Sequence, residues 1–550
     1  MASATTTGGR AARNTAGMLS ARLVVTATGL VTLPLVYDHL GGRKFGVWVL
    51  LTAILAVLAI ADLGLGSAMV REVARADDSG PSLRRVRAVL GLGVGWAMLI
   101  TALAAVVLVV TWPWISRLFH LGEIAGEARR ATLWLLLGLL FGGVELPWRA
   151  VLEGTQRHGT AAWLGAGAAL AGGLLTVLVL RAGGGLAGLA AVTAVTGVLR
   201  TGLTAAVARR LSPAYRPRLR DVRRRDLRVV TGYGLRVQAT SASGAVNTEL
   251  DRFVLSGVFG PATAGHFDLG ARLLNLLRLP PGFALVALFP VAVAGAARSG
   301  TAWLDRFYLR TTRRLATFLG PCTAAVVVSA DPLVRLWIGQ PVPWAATNLA
   351  VLAPAYAVNL ALGAATIVTR AEGRPGRETR YILLSVLLNV ALTGPLLWLF
   401  GPLGVPVATA VAIVTASGYF LWYFHRCTRR PVAPVLRTIV RAGASSLVAA
   451  VVGGVTAPHL PDGDGRAGAA LATCCQAGVT LLVAVALLIA VRLVGARLGA
   501  VRPGSAASRP DPGDPGAWGD PVYSGVRGAR VDVGSTEPAP LRQIDQVGSR

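Results

Sequence analysis

Several charged side chains lie where a lipid-facing helix has no use for them. The stretch 229–258 is apolar enough to read as a membrane span, yet it holds Arg236, Glu249, Asp251 and Arg252. Each charge at the bilayer centre costs about 2.5–3.5 kcal/mol on insertion scales, so four facing lipid would cost roughly 10 kcal/mol. At helical spacing Arg236, Ser243, Asn247 and Asp251 share one face, and Gln238, Ser241, Glu249 and Arg252 another. The next stretch, 264–294, places Asp268, Arg272 and Asn275 on one face with Arg278 further round. Earlier spans add Arg22, Asp62, Glu145 and Arg149. Such a set implies a wet, polar cavity. The planar guanidinium stays charged and grips oxyanions bidentately. The candidate anion-binding residues are therefore Arg252, Arg272, Arg149 and Arg22, with Asn247 and Asn275. Candidate coupling or pairing acids are Asp251, Asp268, Glu145 and Asp62. A plainer reading stands beside this one. Glu145 with Arg149, and Asp268 with Arg272, are acid-before-base pairs one helical turn apart that can neutralise each other. Arg22 and Asp62 lie near span ends, where side chains can snorkel.

The elements that must position these residues follow from composition. Of 550 residues, 54% are hydrophobic and 15% charged, and the mean hydropathy is +0.59. A soluble domain carries about 25% charged residues, so this chain is an all-α polytopic membrane protein. Apolar stretches long enough to cross a bilayer recur between residues 18 and 491 and are counted as fourteen spans. The net charge of +28 would ordinarily suggest nucleic acid, but the arginines cluster in short connections between spans. With the N-terminus in the cytoplasm, the inner connections hold roughly 33 basic residues and the outer ones 8. That bias predicts fourteen crossings with both termini cytoplasmic, and no nucleic-acid partner. Trp112, Trp114, Trp337, Trp344 and Trp398 fall near outer span ends, as an aromatic belt does. Cys322, Cys427, Cys474 and Cys475 lack metal-ligand spacing and read as small buried side chains. No metal site and no cofactor are expected. The Pro/Gly/Ser/Asp-rich segment 496–550 reads as a disordered cytoplasmic tail.

The halves echo each other. Gly41 and Gly46 before span 2 match Gly260 and Gly265 before span 8, an offset of 219. Glu153-Gly154 matches Glu372-Gly373 at the same offset, and Gly185 with Gly188 matches Gly401 with Gly404 at 216. Spans 1–6 and 7–12 are thus expected to be two six-helix bundles related by an axis along the membrane normal, with two extra C-terminal helices. The expected boundaries are a cytoplasmic segment 1–17, bundles 18–207 and 229–425, a basic cytoplasmic linker 208–228, and helices 13 and 14 within 426–495. Two facing bundles form a transporter architecture that works by alternating access.

The run LGGRKFGVWVLLTAILAVLAIADLGLGSAMVREVA resembles the opening of polysaccharide-biosynthesis flippases of the multidrug/oligosaccharidyl-lipid/polysaccharide exporter superfamily. NTELDRFVLSGVFGPATAGHFDLGARLLNLL is similar to the family's seventh and eighth helices, through Asp251, the Gly257–Gly265 turn and Phe267. The resemblance implies a flippase in the bacterial cell membrane. It would move a polyprenyl-diphosphate-linked oligosaccharide to the outer leaflet for cell-surface polysaccharide synthesis. Membrane lipids are the surroundings, and a polysaccharide polymerase and chain-length machinery are candidate partners. Arg252 and Arg272 become the leading diphosphate contacts. A lipid II flippase and a multidrug antiporter of the same superfamily are the alternatives, and a membrane glycosyltransferase or polymerase is the alternative from another class. The last needs a large outer loop with catalytic acids. Asp462-Gly463-Asp464 sits instead in a short turn. There is no P-loop for ATP, and no catalytic residue is expected.

Overall fold

A computed structural model describes residues 2–500 except 63, 77–79, 224–225, 227–248 and 375, with side chains from 14 to 493, 492 excepted. Arg236, Asn247 and the tail beyond residue 500 lie outside the described residues. Among the described residues there are helices and no strand. In chain order they are α1 (Ala2–Ala59), α2 (Leu65–Ala74), α3 (Gly80–Leu118), α4 (Ala125–Gly154), α5 (His158–Arg181), α6 (Leu186–Leu211) and α7 (249–259). Then come α8 (Pro261–Val328), α9 (Ala330–Ile338), α10 (Pro343–Ala361), α11 (Gly363–Ala371), α12 (Gly376–Phe400), α13 (Gly404–Thr428), α14 (Ala433–Thr456) and α15 (Gly465–Ala500).

Among the described residues, ten stretches are long and apolar enough to cross a membrane. Three of them, Asn14–Asp62, Pro261–Val328 and Gly376–Thr428, have 49, 68 and 53 residues, far above the ~20 that one crossing needs. Each is interrupted: at Gly41, at Gly300, and at the 3₁₀ turn Gly401–Leu403. Each is therefore long enough for two crossings. The seventh of the fourteen expected spans is described only as α7. The chain is a polytopic all-helical membrane protein.

The repeat has a backbone basis. Gly41 adopts φ 72°, ψ 162° and Gly260 φ 87°, ψ 165°, nearly the same conformation at the same offset of 219. A side chain is strongly disfavoured there, so both copies need glycine at the turn. Three of the buried apolar clusters among the described residues tie the helices together. One belongs to the first half, with Leu65, Met69, Leu90 and Val151. One belongs to the second, with Tyr308, Val368, Phe420 and Phe424. The third joins α1, α4, α8 and α10 through Phe45, Leu50, Leu135, Leu269 and Leu349. Large apolar side chains remain exposed around the outside, among them Leu103, Val106, Leu447 and Leu482. In a bilayer that surface is solvated by acyl chains.

Small residues set the outer packing. A Cβ on Gly320 of α8 would lie 2.4 Å from Ser446 Oγ of α14, and one on Gly453 of α14 would lie 2.2 Å from Thr480 Oγ1 of α15. Close backbone approach of this kind is a common way for helices to associate in lipid. The cysteines depart from expectation: Cys427 and Cys474 are exposed, and Cys322 and Cys475 are half-buried. On lipid-facing helix sides an apolar thiol gains nothing from being inside.

Candidate substrate-binding cavity

The helices α1 and α8 carry the first and second copies of the repeated turn, and they touch. Tyr37 Oη lies 3.2 Å from His266 Nε2. Trp337 of α9 donates its indole N–H to the Leu30 carbonyl at 2.8 Å. Gly46 sits so tightly on α8 that a Cβ there would lie 1.9 Å from the Pro261 carbonyl oxygen.

Along the same two helices runs a central cavity of about 590 Å³, lined by Arg22, Thr26, Arg272, Asn275, Arg278 and Trp337 among others. Three of its lining residues are arginines and none is an acid. Arg272 donates from Nε to Asp268 Oδ2 at 2.6 Å, and its side chain is 42% exposed. Its terminal nitrogens thus remain available to a ligand. Arg22 and Arg278 have no carboxylate partner among the described residues. Arg278 donates to Asn275 Oδ1 at 3.0 Å and stacks its guanidinium 4.3 Å from the Tyr356 ring centroid.

Arg252 sits elsewhere. It bonds Asp268 Oδ1 at 2.6 Å and Glu249, and it does not line the central cavity. Asp268, 1% exposed, therefore joins Arg252 and Arg272 across α7 and α8. The Asp268–Arg272 pair uses only the Nε of the guanidinium.

In the first half a second cavity, about 640 Å³, adjoins the central one at Arg22 and Val25. It is lined by Arg149, Arg200, Glu153 and His158. The expected Glu145–Arg149 pair does not form. Arg149 bonds Glu153 at 2.6 Å, and Glu145 faces Arg200 at 2.6 Å with Thr204 Oγ1 at 3.2 Å. Both Glu145 and Glu153 stand one turn from Arg149, so sequence alone could not choose between them. Helix α6 decides the matter by presenting Arg200. The sequence reading missed Arg200, although a lone charge inside the apolar stretch 186–207 was the signal for it.

In the second half a third cavity, about 260 Å³, meets the central one at Asn275 and Arg278 and is lined by Asp251, Tyr356 and Thr409. Asp251 is 2% exposed; its Oδ2 accepts from Thr409 Oγ1 at 2.7 Å, while its Oδ1 has no hydrogen-bond partner. Asn389 Oδ1 lies 3.2 Å from Thr409 Oγ1 and 3.3 Å from Thr393 Oγ1. Three polar side chains from α12 and α13, Thr409, Asn389 and Thr393, thus lead away from this one carboxylate on α7. No cluster of three His, Cys, Asp or Glu residues exists among the described residues. Asp62 lines none of the three cavities. It accepts from the Gly64 amide at 3.0 Å and borders an apolar pocket between α1, α3 and α4. Asp462 is held by Arg335 of α9 at 2.9 Å, an outer clasp rather than a sugar-nucleotide metal site.

The structure is similar to several solved transporters. A lipid II flippase, MurJ, in an inward closed conformation, aligns over 87% of this chain and 99% of its own, with TM-score 0.68 and 14% identity. A MATE transporter of Vibrio cholerae in its bent form covers 78% and 98%, with TM-score 0.52 and 16% identity. A MOP superfamily transporter from Pyrococcus furiosus, noted for the reverse polarity of its binding pocket, covers 78% and 96%, with TM-score 0.51 and 18% identity. None of the curated proteins matches the sequence. The family model for polysaccharide biosynthesis proteins matches residues 11–294, just over half of the chain. With that match and this fold, the chain belongs to the polysaccharide biosynthesis protein family.

Proposed function

We propose that the protein flips a polyprenyl-diphosphate-linked oligosaccharide from the cytoplasmic to the outer leaflet, for cell-surface polysaccharide synthesis. The observation that carries this reading is the central cavity, whose walls hold Arg22, Arg272 and Arg278 and no carboxylate. A diphosphate brings several negative oxygens to that point, and each charge-assisted hydrogen bond contributes about 1.5–3 kcal/mol. An organic-cation antiporter would need the opposite charge there. The two six-helix bundles, 18–207 and 229–425, rock about the cavity, with 208–228 as a cytoplasmic linker and α14 and α15 outside them. Both termini face the cytoplasm of a bacterial cell, and polymerase and chain-length machinery take the product. Asp251, with Asn389, Thr393 and Thr409, holds a monovalent cation whose gradient drives the cycle.

The test is Arg272→Gln in a depletion strain and in proteoliposomes. Transport of a short-chain lipid-linked oligosaccharide should fall ten- to a hundredfold with the protein still in the membrane, and Arg272→Lys should rescue it in part. Normal transport by Arg272→Gln removes the diphosphate from this cavity. Lipid II carries the same diphosphate, so a competition between the two lipids separates the readings. Preference for lipid II would reassign the substrate while keeping the cavity.

A further inference from the structure

We propose that the first half holds the substrate lipid at two points, with its hydrocarbon chain in the apolar pocket between α1, α3 and α4 and its phosphates against Arg149 and Arg200 in the adjoining cavity. The inference rests on the flippase reading for the identity of the lipid. The pocket has a volume of about 460 Å³ and is lined by Leu55, Leu58, Trp96, Ile100, Leu139 and Leu146 among others. Polar groups on its walls are already engaged. Thr52 and Thr193 hydrogen-bond back to their own helices, Asp62 accepts from the Gly64 amide, and the Trp96 indole donates to the Ala61 carbonyl at 2.7 Å. Water finds few partners in such a space, and hydrocarbon suits it.

Two observations join this pocket to charge. Gly138 and Thr193 line both the apolar pocket and the second cavity, whose walls carry Arg149 and Arg200. A Cβ on Gly142, another pocket residue, would have Arg200 Nη2 as its nearest neighbour, at 4.0 Å. The three glycines of α4 that line the pocket are not alike. Gly143 is held to its small size by packing, since a Cβ there would lie 2.6 Å from Ala97 Cβ of α3. At Gly138 and Gly142 the nearest atoms would lie at 3.7 and 4.0 Å, so helix packing does not demand glycine at either. The room they leave lies between the apolar pocket and the charged cavity. Arg149 and Arg200 meet their glutamates through Nε, with side chains well open to that cavity. A chain that leaves the bilayer for this pocket exchanges one hydrocarbon for another and gains little. Affinity therefore comes from the arginines, and the pocket decides where the chain lies. A cationic cavity and an apolar pocket with a common wall serve an anion carried on a hydrocarbon chain; a water-soluble anion has no use for the second.

The experiment binds farnesyl diphosphate carrying a diazirine at its chain end to the full-length protein in phosphatidylcholine nanodiscs, and maps the label by peptide mass spectrometry after irradiation. Label should appear on Ile100 and Leu139, and excess plain farnesyl diphosphate should reduce it at least tenfold. Leu139→Trp, which fills the pocket, should cut the label on Ile100 at least fivefold, and Thr101→Leu, a smaller filling, about twofold. Arg149→Gln leaves the pocket intact and should cut the label about tenfold through loss of a charge-assisted contact. Label confined to outward-facing residues such as Leu103 and Val106, or to α14 and α15, overturns the site. So does pocket label that Arg149→Gln leaves unchanged. Equal labelling by a diazirine-bearing phosphatidylcholine that farnesyl diphosphate does not displace also overturns it, and assigns the pocket to bilayer lipid. These outcomes leave the flippase reading standing as long as farnesyl diphosphate binds and Arg272→Gln weakens it. Failure of the unmutated protein to bind farnesyl diphosphate at all, or binding unchanged in Arg272→Gln, overturns the flippase reading itself.

Discussion

The two halves begin from one repeated turn and end with opposite treatments of charge. In the first half the ion pairs are separate and half-open to the cavity: Arg149 and Arg200 have side chains 57% and 40% exposed. In the second, Asp268 is sealed between two arginines, and Asp251 is sealed with one oxygen unsatisfied. An open pair is cheap to break and can lend its arginine to a passing ligand. A sealed one is costly to disturb and holds two helices in fixed register. The first half therefore supplies an adaptable wall, and the second half a rigid frame.

Breaking the sealed network gives the largest expected effect. Asp268→Asn turns an amide N–H toward one arginine and leaves the charges of Arg252 and Arg272 matched by Glu249 alone. Removing one partner from a buried pair costs about 3–5 kcal/mol. The variant should lose most of its folded yield and thermal stability in detergent, whereas Arg149→Gln should change stability by about 0.5 kcal/mol or less. Equal losses in the two variants would erase the contrast between the halves.

The seam between the halves comes next. A Cβ on Gly46 would meet backbone of Pro261 at 1.9 Å, where no side chain can rotate away. Gly46→Ala should therefore disfavour the arrangement in which α1 and α8 touch and populate one in which they are apart. Spin-label distances between α1 and α8 near this contact should lengthen, with transport reduced severalfold. An unchanged distance distribution would show that the seam has slack the structure does not suggest.

The readability of these features from sequence divides along physical lines. Composition and arginine placement sufficed for the membrane class, because hydropathy and charge act locally along the chain. The offset of 219 pointed to paired turns, and Gly41 and Gly260 share one backbone conformation. Partner choice was not legible. Arg149 had two glutamates one turn away, and only the position of α6 settles which is used. Arg252 looked like an exposed cation on a polar face until α8 brought Asp268 to it. The Asp251 cluster draws Asn389, Thr393 and Thr409 from α12 and α13, well over a hundred residues away, and no short-range pattern marks such a meeting. The short helix α9 was hidden because its nine residues are too few to stand out from an outer loop.

A smaller contrast separates Arg200 from Arg149. Arg200→Gln leaves Glu145, whose side chain is 10% exposed, with Thr204 as its remaining partner. A buried acceptor stripped of its partner costs about 1–3 kcal/mol, more when charged, and the 40% exposure of the arginine pulls the expectation toward the lower end. Thermal unfolding in detergent should drop measurably for Arg200→Gln, and Glu145→Gln in the same chain should restore much of it by removing the stranded charge. If the double variant is no more stable than Arg200→Gln, the pair is not what holds α4 to α6 here.

The smallest effect tests the clasp over the seam. The indole of Trp337 gives its one N–H to the Leu30 carbonyl, from α9 to α1. Trp337→Phe keeps most of the apolar ring and removes only that donor, a neutral hydrogen bond worth about 0.5–1.5 kcal/mol. Leu30 sits in a helix that already contains Thr32 and Thr28 hydroxyls bonded back to their own turns, so no neighbouring donor stands ready to replace the indole. The substitution should shift α1 and α8 toward separation in the same direction as Gly46→Ala but by less, roughly two- to tenfold in population. Combining the two should add little beyond Gly46→Ala alone, because a seam already open no longer uses the bond. Full additivity would mean that α9 stabilises α1 independently of whether the halves touch, and the outer clasp would then be a packing feature of the first half and not part of the closure.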